Sequence, residues 1–221
     1  MYTSAERAAD VAGALARGAR MLEQTDPDLV AHLYVKAVEG VEEAGQAFLV
    51  MDLYREAVGC LVRMGKHADA ALVLARQART CGAGGQTNAQ RKAYLAGSVV
   101  LLAGGDARGA WRTYQDAMCV DAFAQSDEAF ACDALIDAYA AGDAAAVRAV
   151  VRDQRPFRYL EHDVSQLAQT LPVGDLAVDA AVLRQLGAGR RGVGGGGGGD
   201  GVDPFADVDG AVSELDPDDL T

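Results

Sequence analysis

Aromatic residues are scarce in this chain, at 6% of 221 positions, and proline occurs only five times. Scarce rings exclude a core built mainly on large aromatic packing. Scarce proline leaves long segments free to continue as regular structure. Long alternations of β-branched residues are absent, which argues against strands. The longest uncharged stretch, from Tyr94 to Gly105, is about 12 residues, short of the roughly 18 needed to span a membrane. The opening "MYTSAERAAD" carries charge too early for a secretory signal. The four cysteines, Cys60, Cys81, Cys119 and Cys132, form no CxxC pair. They are expected to be reduced and mostly buried in a cytosolic protein.

Metal and catalytic constellations are missing as well. His32, His67 and His162 each lack a second ligand at helical spacing, so no metal site and no cofactor is expected. Glu161–His162–Asp163 is a local polar cluster and is not read as an acid–base site. "GVGGGGGG" satisfies GxGxxG only because it is polyglycine, without a strand before it or a helix after it. "MGKHADA" lacks the upstream glycine and the following Ser/Thr of a phosphate loop. The chain is therefore read as a non-enzyme.

Alanine and leucine are present instead, with scattered Arg, Lys and Glu, a composition that loses little side-chain freedom in helices. Half the residues are apolar, so an all-α fold is expected. Turn signals recur at 23–28, 63–70, 102–110 and 140–147. Thr25, Gly65 and Gly105 fall at an offset of 40, and Gly142 follows 37 later. In that register Val30, Ala70 and Ala110 coincide, then Tyr34, Leu74 and Tyr114 one helical turn on. "LYVKAV" (33–38) and "LYREAV" (53–58) echo each other twenty residues apart, the length of one helix plus a connection.

The spacing predicts helices near 3–23, 27–43, 45–63, 67–80, 87–103, 107–119, 127–140 and 143–152, with 158–186 helical in pieces. Such a chain is an α-solenoid of tetratricopeptide-like helical hairpins over 1–187. The aromatics Tyr34, Tyr54, Trp111 and Tyr114 are expected to fill the core between hairpins. After Pro156, "FRYLEHDVSQLAQTL" (157–171) reads as a C-terminal helical cap over the last repeat. A Gly-rich linker (188–202) and an acidic, disordered tail (203–221) follow.

Charge divides the chain. The formal net charge is −12, of which residues 188–221 supply 2 basic and 8 acidic side chains. Residues 53–115 run the other way, with Arg55, Arg63, Lys66, Arg76, Arg79, Arg91, Lys92, Arg108 and Arg112 against Glu56, Asp69 and Asp106. A basic middle and an acidic end suggest two different partners. Nucleic acid is disfavoured, because no aromatics interleave with the cations and the net charge is acidic.

"LYREAVGCLVRMGKHADAALVLARQA" (53–78) and "DEAFACDALIDAYAAGDAAAVRAVVRDQRPFRYLEHDVSQLAQTL" (127–171) resemble the soluble NSF attachment protein family, in particular its gamma type. The likeness runs through about residues 20–175 as a whole pattern, including an F-[KR]-Y step at Phe157, Arg158 and Tyr159, then Asp163 and Leu167. It implies that the N-terminal third of the family's length, with its membrane-touching loop, is absent.

It further implies an adaptor in vesicle-mediated, intracellular protein transport, as between ER and Golgi, and in membrane fusion. Such an adaptor lies along a SNARE four-helix bundle and recruits and stimulates the hexameric ATPase NSF to disassemble it. It would be cytoplasmic and touch membranes only peripherally, through the SNAREs. Carried over, the NSF-binding residues would be Leu215, Asp216, Asp218, Asp219 and Leu220, at the end of a tether reaching roughly 20 Å. The basic SNARE-binding face would include Arg55, Arg63, Lys66, Arg91 and Lys92. Phe205, Val208, Val212 and Leu215 also step by three and four, as a short helix formed on a partner would. The alternative is a generic tetratricopeptide-like scaffold, such as a chaperone co-factor, whose basic groove clamps a carboxylate.

Overall fold

The computed structural model describes residues 4–43 and 47–189. Among these the chain is all-α and no strand occurs. The long helices are α1 (Ser4–Leu22), α2 (Pro27–Glu43), α3 (Ala47–Arg63), α4 (His67–Ala83), α5 (Thr87–Ala103) and α6 (Ala107–Met118). A one-turn α7 (Asp121–Ala124) leads into α8 (Asp127–Ala141) and α9 (Ala144–Asp153). A 3₁₀ turn (Arg155–Tyr159) precedes α10 (His162–Gln169) and α11 (Leu176–Gln185).

Turn chemistry explains the repeat. Gly65 and Gly105, 40 residues apart, both adopt left-handed backbone, φ 71° and 74°. The amides that follow them, Lys66 and Asp106, reach back to Leu61 and Leu101 carbonyls at 2.9 Å. That is the glycine-terminated helix end, which a Cβ would strain. Asp26 and Asp106 then cap the next helices, accepting from the Leu29 amide at 3.0 Å and the Gly109 amide at 2.8 Å.

The matched positions are the core. Val30, Ala70, Ala110, Tyr34, Leu74 and Tyr114 are all buried. The twenty-residue echo is equally internal, with Ala37, Val38, Ala57 and Val58 buried beside Tyr34 and Tyr54. Each helix contacts its neighbour in sequence from α1 to α6, as stacked hairpins require. Alanines at the crossings let the backbones come close.

Three differences from the sequence reading have local causes. α4 continues to Ala83 rather than 80. Gly82 takes the side chain of Gln90 from α5 against its bare Cα. α7 arises because Phe123 turns inward, fully buried, and meets Tyr94 edge-on at 5.4 Å. The cap reaches further than the last repeat. α11 covers α8 and α6, whereas α10 contacts α9 and also the early helices α3 and α5.

Candidate partner-binding surface

Arg55, Gly59 and Arg63 lie one per turn along a single face of α3. α10 enters this face, and an added Cβ on Gly59 would collide with Asp163 Oδ2. On either side of the glycine the arginines receive carboxylates. Arg55 Nε lies 3.2 Å from Glu161 Oε2, and its Nη1 lies 2.9 Å from Asp52. Arg63 Nη1 donates to Asp163 Oδ2 at 3.0 Å, while its Nε and Nη2 hold Glu23 at 3.1 and 3.0 Å. Lys92, from α5, places its ammonium 5.8 Å from the ring centre of Tyr159. Glu161 beside Arg55 raises that guanidinium's pKa further. Burial works against the charge on Arg63, and Glu23 and Asp163 more than restore it.

Three of the five expected face residues, Arg55, Arg63 and Lys92, thus converge on the stretch from Tyr159 to Asp163. The other two lie apart from this clasp. Lys66 pairs with Asp28 at the start of α2. Arg91 is half-buried and donates to the Ala122 carbonyl at 2.6 Å, tying α5 to α7. Each of the five already has a contact within the chain. Arg55, Lys92 and Glu161 also rim a groove of about 300 Å³ floored by Met51, Leu74, Ala93 and Leu160.

Another basic residue of the middle stretch, Arg76, is taken up inside. It lies 2.6 Å from Glu42 and 3.2 Å from Glu39. The Glu42 carboxylate also accepts from Tyr54 and, at 3.3 Å, from Thr80. Burial pushes Glu42 up, but the hydrogen bonds from Arg76, Tyr54 and Thr80 outweigh it and hold the carboxyl below its ordinary range. Sequence spacing missed the clasp acids, Glu161 and Asp163. In the sequence they read only as a local cluster, with Asp163 also part of the family likeness, although acids opening a helix are a recognisable signal.

Trp111 is partly buried, 5.7 Å from Tyr114, whose hydroxyl donates to Asp133 at 2.6 Å. They line a concavity of about 610 Å³ that also holds Asp116 and Asp137. Its described charged residues are acids, the wrong sign for clamping a carboxylate. Among the described residues no group of three or more His, Cys, Asp or Glu could hold a metal, and no helix is long and apolar enough to cross a membrane. The proposed NSF-binding residues Leu215, Asp216, Asp218, Asp219 and Leu220, and the linker beyond Gly189, lie outside the described residues.

Stacked helical hairpins, a buried repeat core and charged outer faces define an α-solenoid protein of the helical-hairpin class. No protein-family model matches the sequence. The gamma-soluble NSF attachment protein of Arabidopsis thaliana is 33% identical over 176 residues, which cover 80% of this chain and 60% of the relative. Over most of its length the chain is thus similar to a soluble NSF attachment protein. It spans about three-fifths of the length of the curated relative it matches.

Proposed function

We propose that this chain is a gamma-type attachment adaptor with no chemistry of its own. Its solenoid body holds a SNARE four-helix bundle, and its acidic C-terminal end is offered to an NSF-type hexameric ATPase in vesicle-mediated transport. The observation that carries this reading is the 33% identity to a gamma-soluble NSF attachment protein across most of the chain. The charge division supports it, with cations concentrated at 53–115 and acids beyond 200. A basic stretch within the body is drawn to an acidic helical bundle through contacts that salt screens. In the tail, Leu220 stands behind Asp216, Asp218 and Asp219, and on this proposal the glycine-rich stretch beyond Gly189 serves as its tether. On this proposal the protein sits in the cytoplasm and meets membranes only through the SNAREs.

The test is a pull-down on an immobilised SNARE bundle with ATP-locked NSF. It compares the intact chain with one ending at Gly201 and with Leu220→Ala. The intact chain should recruit NSF, and both variants should keep the bundle and lose the ATPase. Binding of the bundle should weaken as salt rises. Failure to hold the bundle at any salt concentration overturns the reading and leaves the generic scaffold.

A further inference from the structure

A local excess of positive charge in the C-terminal half also lies outside the expected basic middle. Residues 148–158 hold Arg148, Arg152, Arg155 and Arg158 against a single carboxylate, Asp153. All four arginines are exposed. In α3 and α4, by contrast, Arg55, Arg63 and Arg76 each face a carboxylate from a distant segment of the chain. Among the described residues no such pairing reaches the later cluster. Arg152 pairs only with its neighbour Asp153, at 2.7 Å. Arg158 Nη2 donates to the Arg152 carbonyl at 2.9 Å, which pins the 3₁₀ turn to the end of α9.

The cluster is shaped as well as charged. Arg148, Arg152, Arg158 and Gln169 rim a groove of about 370 Å³ between α9 and α10, floored by Val151 and Ala168. The floor residues are 6% and 1% exposed. Arg148 and Arg152 share one face of α9, about 6 Å apart along its axis. Two guanidiniums at one-turn spacing match two carboxylates at one-turn spacing on another helix. Arg148 can take a carboxylate through paired N–H donors. Arg152, whose Nε and Nη2 hold Asp153 at 2.7 and 3.0 Å, meets a second carboxylate through its remaining Nη hydrogens. An apolar side chain between those carboxylates would cover the Val151–Ala168 floor. A compact anion such as phosphate would leave that floor open.

We propose that the groove between α9 and α10 is a docking surface for an acidic helix of the partner bundle, with Arg148 and Arg152 as its two anchors and Arg158 as its third cation. This inference rests on the adaptor reading above and adds to it the side of the solenoid that meets the bundle.

The experiment measures binding of the full chain to an immobilised SNARE bundle across a salt series. It compares the wild type with Arg148→Glu/Arg152→Glu and with Arg148→Ala/Arg152→Ala, and checks folding by circular dichroism. Both side chains are exposed, so the helical signal and melting should be unchanged. The charge reversal should weaken binding by about tenfold or more at low salt and flatten the salt dependence. The alanine pair should fall between. A bundle with two matched carboxylates changed to lysine should recover affinity for the reversed variant. If the wild type binds and the reversed variant binds equally well, the groove is not the docking surface, and the adaptor reading stands. If the wild type binds no bundle, both fall. If the arginines instead govern binding to a short peptide ending in a free carboxylate, or to anionic lipid vesicles, the assigned partner is wrong.

Discussion

Tyr54 is fully buried, yet its hydroxyl ends on a carboxylate held by Arg76 and Thr80. Such a knot stabilises only while every member is present, because a buried group without its partner costs its full desolvation. Glu42→Ala should therefore lower unfolding free energy by about 2 kcal/mol, read by urea denaturation. Glu42 also sets a pH dependence. Its folded pKa lies below the unfolded value, so its contribution is complete above the ordinary carboxylate pKa of about 4.3. It is lost as pH falls through the lowered folded value, and Glu42→Gln should flatten that acid limb. The cysteines make a second residue-scale test. Cys119 is exposed while Cys60, Cys81 and Cys132 are buried. Burial pushes the thiols of Cys132 and Cys60 up to about 12 and about 11. A thiol reagent should label one cysteine quickly in the native protein and the other three only on unfolding.

α10 shows how one element depends on a missing side chain elsewhere. It is short, and an eight-residue helix is marginal alone. It is held by burial of Val164 and Ala168 and by the carboxylates that meet Arg55 and Arg63. The bare Cα of Gly59 makes room for that approach. Gly59→Leu should push α10 off α3 while leaving the α1–α2 hairpin in place. The expected readout is faster limited proteolysis between Gln154 and Leu176 with little loss of helical signal. Unchanged cleavage would show that α10 does not need the glycine. The ion pairs themselves are half-exposed and add little alone.

At the scale of the whole molecule, an open solenoid touches only its sequence neighbours and tends to unfold in steps. Here the Arg63–Asp163 contact joins residues 100 apart, and α10 bridges α3, α5 and α9. This closure should make unfolding more cooperative than the repeats alone would give. Val164→Asp, which puts a charge into the α10 seam, should lower both the midpoint and the denaturant slope, with early hairpins outlasting late ones in hydrogen exchange. A single sharp transition of unchanged slope would contradict this. The same closure bears on binding, because it draws Arg55, Arg63 and Lys92 onto Tyr159, Glu161 and Asp163 and leaves the arginines of 148–158 facing outward.

Helix positions, the forty-residue repeat and the inward faces were legible in the sequence. They depend on local rules: glycine where backbone turns left-handed, aspartate at a helix start, and apolar residues one turn apart. Val30, Ala70 and Ala110 could be placed in the core by counting alone. The basic middle was legible only as a sum of charges. Which of its cations remain available is decided by carboxylates up to 100 residues away. No periodicity encodes the approach of Glu161 and Asp163 to α3. That pairing exists because Gly59 admits α10 and because the chain folds back after Pro156. Local chemistry thus determined the helices, and tertiary closure decided which charges are matched inside the fold and which are left to meet a partner.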